Sequence, residues 1–123
     1  MTEGRYAFCS IYVKALDASA ITRRLEDALG TESDNDNIRV EGVEMDARTN
    51  PDVDVAAAAT DFVRWPVLIE ADADDPHDRE PMVSVISRVI TALWDAGEPA
   101  VAACDFEEEL PWRGGIQRIA GAS

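Results

Sequence analysis

An antiparallel α+β sandwich is what this 123-residue sequence predicts. Two alternating aromatic and β-branched runs, two amphipathic helical stretches and the order in which they follow one another support that expectation. The order reads strand, helix, strand, strand, helix, strand. Two βαβ halves of similar size suggest the ferredoxin-like βαββαβ sandwich, with both helices on one face of the sheet. Strands one and three belong at its centre, and strands two and four at its edges. One domain is expected, with a core over about 5–106 and a C-terminal tail over 107–123.

Strand one covers residues 5–14, a stretch without Gly or Pro. Ala7, Cys9, Ile11 and Val13 share one face; Tyr6, Phe8, Ser10 and Tyr12 share the other. Helix one covers 18–29, where Ile21, Leu25, Ala28 and Leu29 form a stripe. Asp17 or Ser19 caps its start, and Gly30 stands at its end. Strand two runs from Ile38 to Met45. Its apolar phase switches near Gly42, and a bulge at that glycine accounts for the switch. Residues 46–61 form a long connection with a turn signal at Asn50-Pro51-Asp52.

Strand three spans Phe62 to Ala71. Pro66 inside it implies an edge, a bulge or a strand that starts there. Helix two follows the acidic loop 72–80, with Asp78 as cap and Pro81 in its first turn. Met82, Val85, Ile86, Val89, Ile90, Leu93 and Trp94 make its apolar face, and Gly97 stops it. Strand four is Ala100 to Phe106, beside strand one, which brings Cys9 near Cys104. The tail wraps across the surface. A sheet face carrying Phe8 and Tyr12 needs a cover, from the tail, a partner or a second copy.

Charge narrows the function. Twenty-five Asp and Glu against eleven basic residues, only one of them lysine, give a formal charge of −14. Such a chain repels nucleic acid and anionic lipid, so neither is expected as a partner. No apolar run reaches membrane-spanning length and no basic-then-apolar leader is present, so a cytoplasmic protein is expected. Two cysteines do not make a disulfide scaffold, and both are expected as buried free thiols. Arginine in large excess over lysine, with abundant Ala and Asp, is a GC-rich habit. On that reading the acidity is lineage bias and the protein a structural or adaptor subunit.

Trp65-Pro66-Val67-Leu68-Ile69-Glu70 and the run from Ala100 to Pro111 resemble blocks of a family of small uncharacterised actinobacterial proteins. The resemblance covers Trp65 to Pro111. It implies a bacterial source and a shared fold, and it points to Glu70 and the 105–110 region as a shared site. It carries no activity to transfer.

No catalytic residue, metal or cofactor is assigned. The loop Glu70–Glu80 alternates carboxylates but has no glycine for a calcium turn. His77, the single histidine, has no recognisable nucleophile beside it. The segment from Glu44 to Glu80 holds eleven acids and three arginines. With the run Asp105–Trp112 it suggests a negative surface for a basic protein. Asp74, Asp75, Asp105, Glu107, Glu108, Glu109 and Trp112 are the expected contacts, aromatic anchors set in a charged rim. The expected function is a non-enzymatic acidic binding protein of the immunity or inhibitor kind. A small dimeric enzyme or ligand-binding domain is the alternative. Its pocket would lie on the open sheet face and use Tyr12, Trp65, Glu70 and His77, with a homodimer formed through that face.

Overall fold

The computed structural model describes residues 4–35, 37–58 and 60–120. Among them, five strands and three helices build an α+β domain: β1 (Phe8–Val13), α1 (Ala18–Leu29), β2 (Asn37–Val40), β3 (Val43–Thr49), β4 (Val67–Ala73), α2 (Arg79–Asp95), β5 (Ala100–Ala103) and α3 (Ile116–Ala120). All strand pairs are antiparallel, and the sheet order is β2-β3-β4-β1-β5. β1 and β4 lie inside the sheet and β5 lies at an edge beside β1, as expected.

Alternation builds the core. Cys9, Ile11 and Val13 of β1, Val43 and Met45 of β3, and Val67, Ile69 and Ala71 of β4 are all buried. They pack in one cluster with Ile21, Leu25 and Leu29 of α1 and with Met82, Val85, Ile86, Val89, Ile90 and Leu93 of α2. Burying each such side chain contributes roughly 1.5–3 kcal/mol, which offsets the entropy of ordering the chain. Both helices start at the expected aspartates: Asp17 accepts from the Ala20 amide at 2.8 Å, and Asp78 from the Glu80 amide at 3.3 Å. None of the described helices is long and apolar enough to cross a membrane.

Three expectations are corrected. The phase switch at Gly42 is a hairpin turn, not a bulge. Val40 pairs with Val43, and Glu41 and Gly42 between them have φ of 52° and 83°. Two left-handed residues in a two-residue loop match the right-handed twist of the flanking strands. Ile38 and Met45 therefore face each other on the core side, and β2 becomes a fifth strand at the edge.

The second correction concerns strand three. β4 begins at Val67, while Phe62–Arg64 is a single 3₁₀ turn. Asn50 imposes this. It is buried, its Nδ2 donates to the carbonyls of Val63 (2.8 Å) and Trp65 (2.7 Å), and its Oδ1 accepts from the Asp52 amide at 3.0 Å. Those carbonyls are satisfied without a strand partner.

Third, β5 stops at Ala103, three residues short of Phe106. The Glu107 carboxylate accepts from the Cys104 amide at 3.3 Å and the chain turns into a 3₁₀ segment. Phe106 and Leu110 then fold under and join the core. The last segment also closes the sheet edge, because Ala102 N donates to Gly114 O at 2.7 Å. A covered edge strand is protected from pairing with another chain.

Candidate functional site

The sheet face away from the helices has two halves. At one end the chain supplies its own cover. The Tyr12 ring meets Phe62 at 5.7 Å, and Phe62 meets Trp65 at 6.4 Å, both edge-on. The 50–66 connection held by Asn50 delivers Phe62 and Trp65 to this position. At the other end no described residue covers the face.

That half is acidic by register. Glu44 of β3 stands opposite Asp72 of β4, and Asp46 stands opposite Glu70. On the far side Asp72 faces Phe8 and Glu70 faces Ser10. Side chains at facing positions of an antiparallel pair are about 4.5–5.5 Å apart at Cβ. The result is a two-by-two block of carboxylates, bordered by a phenyl ring that is 53% exposed. Phe8, Ser10, Asp46, Arg48, Glu70 and Asp72 line a groove of about 170 Å³ there.

Two arginines touch the block. Arg48 bridges Asp46 (3.2 Å) and Glu70 (2.9 Å). Arg39 pairs with Asp74 at 2.8 Å and approaches Glu44 at 3.8 Å, and the Asp74 carboxylate raises the Arg39 pKa above its ordinary value. Exposed pairs of this kind contribute only about 0.2–1 kcal/mol each. Among the described residues, no side chain pairs with the Asp72 carboxylate, so the block keeps a net negative charge. Among those residues no group of three or more His, Cys, Asp or Glu is placed to hold a metal ion. What the groove suits is an organic cation. Carboxylates accept the paired N–H groups of a guanidinium, and an exposed ring face attracts the same cation.

The residues expected from sequence are distributed as follows. Glu70 belongs to this block and Asp74 adjoins it through Arg39. Asp75 accepts from the His77 amide at 3.0 Å in the exposed β4–α2 loop. His77 is exposed there and is not brought together with Tyr12 and Trp65. Tyr6, assigned to the open face, precedes β1 and packs on Phe106 at 5.2 Å.

Asp105 is exposed beside a cluster that spends much of its charge internally. Glu108 pairs with Arg5. Glu109 accepts from Tyr6 Oη at 3.0 Å and pairs with Arg79 at 2.5 Å and Arg5 at 3.3 Å. Arg79 first, then Tyr6 and Arg5, hold the Glu109 carboxyl below the usual carboxylate range. Trp112 is half-buried, 6.5 Å from Trp94, and the Arg118 guanidinium lies over both rings at 4.7 and 4.6 Å. Trp65 is buried and borders a separate cleft of about 280 Å³ with Lys14, Trp94 and Arg118.

Glu44, Asp46, Asp72 and Phe8 were not singled out as site residues by sequence. The usable signal was the period-two spacing Glu44/Asp46 and Glu70/Asp72 on consecutive strands of the sheet. No family model matches the chain, and no curated protein or solved structure matches it significantly.

Proposed function

We propose that this chain is a non-enzymatic acidic binding protein of the immunity or inhibitor kind, which occupies a basic surface of a toxin or enzyme with the open face of its sheet. One observation carries the reading: Glu44 faces Asp72 and Asp46 faces Glu70 across adjacent strands. Like charges at facing positions destabilise a sheet by up to about 1 kcal/mol per pair. Arg48 already bridges Asp46 and Glu70, so the repulsion that remains is between Asp72 and Glu44, and a cationic side chain from a partner relieves it on docking. Phe8 supplies the apolar contact beside it. Opposite charge also speeds encounter. The same charge disfavours a second copy on this face, since carboxylates would meet carboxylates.

The strand order supports a ferredoxin-like reading of the fold. With β2 set aside as an added edge strand, β3-β4-β1-β5 is the order expected of a split βαβ sandwich. A cytoplasmic location fits the charge and the free thiols.

Asp72 separates function from stability. Asp72→Asn raises stability in urea by up to about 1 kcal/mol, because it removes repulsion without breaking an ion pair. The same substitution weakens salt-sensitive capture of a basic protein from lysate of the source cells. Retention of the same protein at the same strength by wild type and variant would contradict the proposal.

A further inference from the structure

The two cysteines sit one position beyond the last pair of β1 and β5. β1 and β5 pair with Ser10 opposite Ala103, so the next position outward on each chain is a cysteine, Cys9 and Cys104. Both pack with the helix-side core, Cys9 fully buried and Cys104 half-buried. The Cys9 thiol donates to the Ser10 carbonyl at 3.9 Å, and the two sulfurs are near enough to shift each other's pKa. Facing residues of an antiparallel ladder have Cα atoms about 4.5–5.5 Å apart. Disulfides span about 4.4–6.8 Å, a range that includes this ladder spacing. Both sulfurs are free thiols in this structure.

Their surroundings differ. The neighbouring Cys9 thiol first, then the Phe106 amide, hold the Cys104 thiol below its ordinary range, against burial and the nearby charges of Glu107 and Asp105. Cys9 is pushed well above it by the Cys104 sulfur and by burial. Of the two, Cys104 is the thiol shifted toward the thiolate and the one that is not fully buried. The thiolate is the nucleophile in such chemistry.

We propose that Cys104 and Cys9 form a peroxide-oxidisable dithiol, with Cys104 the attacking sulfur and Cys9 the resolving one. In the first step the Cys104 thiolate attacks one oxygen of hydrogen peroxide. The O–O bond breaks, hydroxide leaves, and Cys104 becomes a sulfenic acid. In the second step the Cys9 sulfur attacks the Cys104 sulfur. The S–O bond breaks, the S–S bond forms, and hydroxide leaves with the Cys9 proton as water. Two thiols and one peroxide become one disulfide and two waters. The product ties β1 to the start of the C-terminal segment. This chemistry is independent of the partner proposed above.

The test is intact-mass analysis of the reduced full chain treated with hydrogen peroxide, then denatured and alkylated. The expected result is a monomer that has lost two hydrogens, takes up no alkylating agent, and regains both thiols on reduction. Peptide mapping then joins the segments containing Cys9 and Cys104. With Cys9→Ser, Cys104 stops at a sulfenic acid trapped by dimedone; with Cys104→Ser, Cys9 stays unmodified at the same dose. Two alkylatable thiols in oxidised wild type would overturn the proposal, as would direct passage of Cys104 to sulfinic acid or a disulfide joining two chains. The wild-type result decides even where a variant does not fold.

Discussion

Phe106→Ala is expected to remove about 3–5 kcal/mol of stability. A domain of this size has only about 5–15 kcal/mol in total, so the variant loses a large share of its stability. Phe106 is 0% exposed and belongs to the main core cluster, with the Tyr6 ring 5.2 Å from its own. It enters the core from the turn after β5, so its removal also frees the segment that carries Glu107–Glu109. Tyr6 would lose its packing and with it the aim of its hydroxyl at Glu109. Urea titration gives the measurement, read as a lower midpoint at unchanged slope. Phe106→Leu keeps most of the volume and should cost less than about 2 kcal/mol. A loss below about 1 kcal/mol in Phe106→Ala would mean that the C-terminal segment is not part of the core.

Gly115→Ala is the second large effect, about 2–5 kcal/mol from strain and overlap together. Gly115 has φ of 99°, outside the range an alanine adopts without strain. A Cβ there would lie 2.1 Å from the Ala100 carbonyl oxygen and 3.0 Å from Trp94 Nε1. That oxygen already accepts from Trp94 Nε1 at 2.9 Å, and Ala100 is held in the sheet opposite Val13. Neither group can yield, so the C-terminal segment lifts from the β5 edge. Hydrogen exchange is expected to accelerate at the Ala102 amide, which bonds to Gly114. Gly30→Ala is the control: its φ is 66° and nothing lies within 4 Å, so only the left-handed backbone term of about 1–2 kcal/mol remains. Equal losses in the two variants would contradict the close approach at Gly115.

The elements legible in the sequence were those with a strong local signal. β1 has uninterrupted alternation, and α1 and α2 have an apolar stripe and an aspartate cap at the right place. The neighbouring of Cys9 and Cys104 followed from strand order alone. The hairpin at Gly42 was misread because a bulge and a two-residue turn flip the apolar phase in the same way, and Glu-Gly is a weaker turn signal than Asn-Gly. Phe62 looked like strand because its neighbours are apolar. A buried asparagine twelve residues earlier decides its conformation, and that is a tertiary effect.

The site was harder to read for a related reason. Acids are so frequent in this chain that none stands out by identity. What distinguishes Glu44, Asp46, Glu70 and Asp72 is the β3–β4 register, which the 50–66 connection sets. The run Glu107–Glu109 shows the reverse. It stands out in the sequence, yet Glu109 is engaged by Arg5 and Arg79, partners that no local pattern reveals.

The decisive measurement is a ¹⁵N-resolved NMR titration of the full chain with an oligoarginine peptide at low salt. Every acid on the molecule attracts such a peptide, so location is the readout. Docking on the acidic sheet face requires shifts concentrated on the amides of Phe8–Ser10, Glu44–Asp46 and Glu70–Asp72, and their loss in Asp46→Asn/Glu70→Gln. Shifts spread evenly over the surface, or confined to the exposed acids near Asp105, would contradict it.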